Sequence, residues 1–387
     1  MKVRRLLLLV LTVLPGLLWA SHQLATGLIW WLGCAIGWSL VHVGFSFTSA
    51  FGDTLTRRRP QAFAPIAALL VVLIGSSALL TLVGPALGRP IRFPAAPLST
   101  TLVAGAFLFG VGMQLARRCG SGTLAAAAKP DLPFALSLIG LVVGSFLGSL
   151  HRPALERVDQ LTMPPVDLLQ VLPLWAALAV QLTILAAVLL LLLQGPPPWA
   201  AWRASMILAL PLVLVVLVSG EPFKVLWGFV LTGAHAAVAF GWDPESSAFW
   251  SASGPLAQLR APGGWLLHDA VVADLGVLAG AFATGWWSPQ PVLRPGSRRG
   301  AAWRAATGSL LMGYGGFLAY GCNISSFVGG VMGFSLHGWL WLAAALAGSS
   351  VVSLAVRPKA AIVAAQSESM GDCRKEKSPT RSAGLIE

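Results

Sequence analysis

Apolar stretches separated by short polar links recur along the chain, over 6–20, 25–44, 63–87, 99–117, 133–150, 171–194, 205–219, 266–287, 303–321 and 336–356. A helix rising about 1.5 Å per residue crosses the hydrocarbon layer in about 20 residues, so each stretch predicts one membrane-crossing helix. The runs are Gly-rich and Pro-broken and lack the period-two alternation of barrel strands. The pattern therefore predicts an all-α polytopic membrane protein of about ten spans. The first stretch follows the basic start Lys2, Arg4 and Arg5, so it reads either as a span or as a signal-like segment. Leu18 disfavours cleavage after Ala20, because that position prefers a small residue.

Composition closes off the soluble classes. The chain is 56% hydrophobic and 10% charged, against about 25% charged in soluble domains. It has too little polar surface to coat a water-facing enzyme. The net charge of +12 does not point to nucleic acid, because the cations cluster in the links between apolar runs. Lys2, Arg4 and Arg5, then Arg57, Arg58 and Arg59, then Arg117, Arg118 and Lys129, then Arg203, then Arg294, Arg298, Arg299 and Arg304, then Arg357 and Lys359 all fall on one side when the spans are counted. Cytoplasmic links carry such an excess, which predicts an inner-membrane protein with both termini cytoplasmic. The opposite side keeps a mixed loop from His151 to Asp167 and an acidic-leaning one around Asp243 and Glu245. Of 16 tryptophans, Trp30, Trp31, Trp202, Trp286 and Trp287 fall near predicted span ends, as an interfacial belt requires.

The chain also repeats itself. Residues 105–119, GAFLFGVGMQLARRC, and residues 308–322, GSLLMGYGGFLAYGC, share seven identities in fifteen at a constant offset of 203. Gly105, Leu108, Gly110, Gly112, Leu115, Ala116 and Cys119 match Gly308, Leu311, Gly313, Gly315, Leu318, Ala319 and Cys322. Five spans separate the copies, and an odd number inverts the second copy relative to the first. Such inverted repeats place a transporter's substrate path at their interface. A weaker match pairs WSLVHVGF (38–45) with WGFVLTGA (227–234), which sets His235 opposite Ser46. The organisation expected is an N-terminal span or signal-like segment (1–24), a first membrane repeat (25–200), a second, inverted repeat (201–357) and a disordered cytoplasmic tail (358–387).

Small or polar residues follow each matched cysteine: Gly120, Ser121, Gly122 and Thr123 in one copy, Asn323, Ile324, Ser325 and Ser326 in the other. Irregular backbone at membrane depth is tolerated only when buried in protein or lining a cavity. Each stretch therefore predicts a helix that breaks at Cys and a short helix that restarts after it. A new helix N-terminus offers free N–H groups to an anion. The thiol is a weak, polarizable hydrogen-bonding group suited to a soft, sulfur-bearing anion. Counting spans sets Cys119 and Cys322 at different depths, as two stations on one path. Cys34, in the patch Gly33-Cys34-Ala35-Ile36-Gly37, reads mainly as a packing residue, and the spacing of the four cysteines fits no zinc site. Asp269 and Asp274, with His268 beside them, stand out within an apolar run, where ionisable residues are functional candidates. Glu221 and Lys224 flank a short apolar segment, 223–240. His337 reads as a helix-start packing residue.

The segments GFSFTSAFGD (44–53), GVGMQLARRCGSGTL (110–124) and GYGGFLAYGCNISSFVGGVMGFSLHGWLW (313–341) resemble the YeeE/YedE sulfur-transport family. The resemblance implies an hourglass of inverted repeats with short re-entrant helices. It also implies uptake of thiosulfate or a related anion, handed along cysteines by S–H hydrogen bonds, with a cytoplasmic sulfur-carrier protein as recipient. It carries over Cys119 and Cys322. The family pattern Gly-Phe-Cys-Phe reads Gly44-Phe45-Ser46-Phe47 here. Three explanations stay open: Ser46 suffices, Cys34 helps from elsewhere, or the substrate differs. The candidate pathway is thus Ser46, Cys119, Gly120, Ser121, Gly122, Cys322 and Asn323, with His235 and Cys34 as further candidates, and no cofactor or metal. The competing functions are a membrane thiol oxidoreductase or sulfurtransferase, which the missing C-x-x-C weakens, and a transporter of selenium species.

Overall fold

The computed structural model describes residues 2–56, 59–88, 91–159, 161–193, 195–287 and 298–355. Arg57, Arg58, Arg294, Arg357, Lys359, Cys373 and the expected tail 358–387 lie outside them. The described chain is built from helices: α1 (Lys2–His22), α2 (Leu24–His42), α3 (Phe47–Leu55), α4 (Ala64–Val83), α5 (Thr100–Ala116), α6 (Gly120–Ala125), α7 (Leu132–Val158), α8 (Leu168–Val171), α9 (Leu174–Leu192), α10 (Trp199–Ser219), α11 (Val225–Ala239), α12 (Ser253–Leu259), α13 (Asp269–Trp287), α14 (Arg298–Leu318), α15 (Gly329–Met332) and α16 (Leu336–Ala355). A π-helical turn, Asn323–Val328, precedes α15.

All ten predicted stretches are helices, α1, α2, α4, α5, α7, α9, α10, α13, α14 and α16. Among the described residues, eight segments are long and apolar enough to cross a membrane. The apolar part of α1, Val10–His22, is shorter, and α14 opens on Arg298, Arg299 and Arg304. The protein is an all-α polytopic membrane protein. Helix starts follow local chemistry. Ser99 accepts from Leu102 N–H at 3.0 Å to begin α5, and Asp131 accepts from Phe134 N–H at 2.7 Å to begin α7. One expectation fails at the end of α7. The helix continues to Val158, so the expected loop from His151 is helical through its first half. Pro153 did not stop it, and Arg152 and Glu156, one turn apart, pair at 2.7 Å along its last turns.

The centre is a seam between α5 and α14. A methyl group on Gly105 would lie 2.6 Å from Gly315 O, and one on Gly315 would lie 2.5 Å from Gly105 O. Gly112 and Gly308 meet in the same reciprocal way. The two helices therefore run antiparallel with their backbones in contact, as small residues permit where lipid gives no hydrophobic drive between helices. The flanks match: Gly110 of α5 packs on Ala345 of α16, and Gly313 of α14 packs on Leu141 of α7. A second seam joins α2 to α13, with Gly33 and Gly37 on one side and Gly276 and Gly280 on the other. Trp30 lies in the core, 5% exposed, and its indole N–H donates to Thr12 O at 2.8 Å, so it is not part of an interfacial belt. Trp286 and Trp287 are exposed near the end of α13.

Candidate functional site

Both seam helices end alike. Arg117 and Tyr320, non-glycine residues at the matched repeat position, hold left-handed φ values of 57° and 62°. This conformation is uncommon for residues with a side chain and reverses the chain. The next N–H bonds back five residues in each copy, Arg118 to Met113 O at 3.2 Å and Gly321 to Gly316 O at 2.8 Å. The following residue is the cysteine, extended at φ −97° and ψ −178° for Cys119 and at φ −92° and ψ −172° for Cys322. The match extends through the repeated backbone geometry.

Each cysteine then caps the helical turn that restarts after it. Cys119 Sγ accepts from Gly122 N–H at 3.2 Å and lies 3.4 Å from Ser121 Oγ. At the other copy, Cys322 N–H donates to Ser325 Oγ at 2.9 Å, and that hydroxyl donates back to Cys322 Sγ at 3.5 Å. These are capping contacts in which sulfur stands in for the usual Ser or Asp oxygen. Thr123 N–H and Ser326 N–H, again a matched pair, each bond to the cysteine carbonyl at 2.8 Å.

The two cysteine restarts come together. A methyl group on Gly120 would lie 3.3 Å from Cys322 Cβ and 3.6 Å from its Sγ. Cys119 is 2% exposed and Cys322 is 0% exposed. The expected separation by depth is corrected: both connections double back from opposite helix ends, so the residues after them meet. Asn323, the counterpart of Gly120, is 1% exposed, and among the described residues neither its Oδ1 nor its Nδ2 has a hydrogen-bond partner. An unsatisfied buried amide costs about 1–3 kcal/mol.

Ser46 joins this site through its neighbour. It caps α3, accepting from Ser49 N–H at 3.2 Å, and the Phe47 backbone faces the Cys119 thiol. The Phe47 ring lies edge-on to Phe327 of the π-helical turn, at 6.5 Å. Three chain restarts, capped by Ser46, Cys119 and Cys322, thus border one region. Cys34 lies instead in the α2–α13 seam against Gly280. His235 is in the third turn of α11, 5.8 Å from the Trp265 ring, with Nε2 unpartnered among the described residues. Lys224 holds the position before α11 that Ser46 holds before α3, but makes no side-chain cap.

The other singled-out residues divide clearly. His337 Nδ1 bonds to Ser335 Oγ at 2.7 Å and receives Ala96 N–H at 3.3 Å, a packing role at the start of α16. Asp274 is 5% exposed and packs against Gly228 of α11, with neither carboxylate oxygen partnered among the described residues. Sequence reasoning missed a polar group above Cys322. Arg152 stacks 3.9 Å over the Tyr320 ring, and Tyr320 donates to Glu156 at 3.1 Å. Only the cation–aromatic composition of these positions could have marked them, and their spacing, far apart in sequence, hides it.

Comparison with known proteins gives the family. The profile of the protein family described as sulphur transport matches residues 42–351. Over 75 residues the chain is 37% identical to "Probable transporter YedE" of Escherichia coli (strain K12) and to the protein of the same name in Salmonella typhimurium (strain LT2). That stretch is 19% of this chain and 19% of each relative, so the match spans about a fifth of their length. Since the profile covers most of the chain, including all three chain restarts, the chain belongs to the sulphur transport family.

Proposed function

We propose that this protein carries thiosulfate, or a closely related small sulfur-bearing anion, across the inner membrane into the cytoplasm. The observation that carries the reading is the meeting of Cys119 and Cys322 beside the unpartnered Asn323 amide. Two thiols and an amide donor in a buried region replace the hydration of a soft anion without placing a cation there. The reciprocal glycine seam and the matched left-handed residues support two inverted repeats, 25–200 and 201–357, with α6 and the π-helical turn as re-entrant restarts. The cation distribution supports cytoplasmic termini. In this reading the anion passes by hydrogen bonds from one thiol to the next, with no lasting covalent bond, and a cytoplasmic sulfur-carrier protein receives it. Ser46 keeps its capping bond and lends α3 to the site, whereas Cys34 packs helices.

Uptake of labelled thiosulfate by cells lacking their own importers tests this. Each of Cys119→Ala and Cys322→Ala removes a hydrogen bond to a charged solute, worth about 1.5–3 kcal/mol, so uptake falls by roughly tenfold or more. Full uptake by both variants would refute the thiol role. A thiol oxidoreductase or sulfurtransferase is the second reading, favoured by the nearness of the thiols. Consumption of thiosulfate by the purified protein, without transport in vesicles, would establish it.

A further inference from the structure

Asp274 is the one carboxylate buried among the described residues, and the passage from thiol to thiol makes no use of it. A methyl group on Gly228 of α11 would strike its Oδ2, and neither of its oxygens has a hydrogen-bond partner among the described residues. The titratable side chains of the elements packed around α13 are engaged or placed elsewhere. Beside α11, Lys224 pairs with Glu221, and His235 lies by the Trp265 ring. On α2, Cys34 lies against Gly280, and His42 stacks on Trp38. His22 is exposed at the end of α1, and α6 carries none beyond the Cys119 that caps it. Lys129 follows the turn that packs on Gly285, at the far end of α13. An ionised carboxylate is tolerated in such surroundings only while something compensates its charge. The tight α11–α13 contact admits a proton more readily than a metal ion. A cavity of about 300 Å³, ample for water, lies one residue layer away. Trp227 and Ala273, the neighbours in sequence of Gly228 and Asp274, line it, with Glu221, His268 and Asp269. His268 Nδ1 accepts Ala270 N–H at 3.2 Å, which leaves the ring proton on Nε2, 2.9 Å from Gln258 Oε1. Asp269 is therefore the cavity carboxylate nearest in the chain to Asp274, about 7.5 Å before it along the helix.

We infer that Asp274 is a proton-binding site that couples inward movement of the anion to inward movement of a proton, supplied through the water-sized cavity beside Asp269. The proposal rests on the transport reading above and adds its driving force. Thiosulfate carries two negative charges, and an inside-negative membrane potential opposes each charge that enters. A proton taken up with the anion offsets one of them. The cavity lies on the side opposite the cytoplasm, because α10 starts beside the cytoplasmic Arg203 and ends at Ser219 in the cavity wall. Both α11 and α13 pack on α6, the restart after Cys119, and α11 also meets the π-helical turn after Cys322. The carboxylate thus sits in a seam that borders both restarts. An ionised Asp274 and an anion within the same body repel each other, so proton and anion each favour binding of the other, by equal factors. The step is a plain proton transfer. A water-borne proton from the cavity forms an O–H bond with a carboxylate oxygen of Asp274. The same bond breaks when the proton leaves to cytoplasmic water, and no electrons change hands.

The test uses the full chain in proteoliposomes with a pH-sensitive dye trapped inside. Thiosulfate added outside should acidify the lumen, and an acid-outside gradient should raise thiosulfate accumulation by up to roughly tenfold per pH unit, the factor for one coupled proton. Asp274→Asn keeps the shape of the side chain but cannot exchange a proton. It should lose the acidification, and its gradient-driven uptake should fall roughly tenfold further, at one pH unit, than its exchange of labelled for unlabelled thiosulfate without a gradient. Asp274→Glu should recover acidification. Wild-type protein that exchanges thiosulfate without acidifying the lumen would overturn the coupling. Undiminished gradient-driven accumulation in Asp274→Asn would overturn the site and leave the thiol reading standing. Absence of exchange in the wild type would instead remove the transport reading itself. A check that needs no variant is labelling of the wild type with dicyclohexylcarbodiimide, which attacks protonated carboxyls in apolar surroundings. Labelling of Asp274, located by mass spectrometry, should decline as the pH is raised. Labelling that is absent or indifferent to pH would overturn Asp274 as the proton site.

Discussion

At the scale of single residues, Asp159 shows how a side chain outside the spans governs a helix within them. Its Oδ2 accepts from Thr101 N–H and from the Thr101 hydroxyl, each at 2.8 Å, gathering the first turn of α5. Burial, the largest single influence, pushes its carboxyl up, but the bonds from Thr100, Thr101 and Leu161 together outweigh this and hold it below the usual carboxylate range. A group that binds its proton more weakly in the folded state adds stability above its unfolded pKa, which for Asp is about 4. That stability is lost as the pH falls through that value towards the folded one. Asp159→Asn should therefore cost about 1 kcal/mol near neutral pH, by analogy with loss of a helix-start acceptor. Thermal unfolding in detergent from pH 7 downwards should show the two proteins converging in acid, and parallel curves would contradict the assignment. Cys119, Cys322 and Asn323 could be read from the sequence, because a rare residue recurs in register with glycines. Arg152 and Tyr320 could not, because a ring and a guanidinium 168 positions apart meet only through the packing of α7 on α14.

At the scale of elements, apolar length was the dependable signal, and all ten stretches emerged as helices because a bilayer demands one length from every crossing segment. Short elements escaped that rule. Nothing in length or periodicity marks α3 or α12, and the weak 38–45/227–234 match sets Ser46, which precedes α3, against His235, which lies inside α11. Depth was also misread. Counting spans locates the ends of helices but not the connections that turn back from them, and Arg117 and Tyr320 make both connections turn back. The central seam is tight enough for a direct test. Gly112→Val in α5 would drive its side chain into the Gly308 carbonyl and the Met312 backbone N. Overpacking of this kind costs about 1–3 kcal/mol, visible as a lower unfolding midpoint and reduced yield. The same substitution at Gly75, where a side chain meets open space, should leave both unchanged.

At the scale of the whole molecule, the two halves share a centre rather than lying side by side. The family profile, residues 42–351, takes in most of both halves but leaves out α1 and all of α2 except His42. The proposed orientation has a simple readout. Fluorescent-protein fusions, which mature only in the cytoplasm, should be bright after residue 355 and dark when inserted in the 240–252 loop, and the reverse would invert the route. The reciprocal contacts between α5 and α14 have a mechanical consequence. With carbonyls and amides of one helix pressed directly on those of the other at both glycine pairs, sliding would have to break main-chain contacts. The pair therefore behaves as a keel, which any relative movement of the two halves would have to carry whole or break. The few residues on either side of each sulfur hang on that keel and can shift without disturbing it.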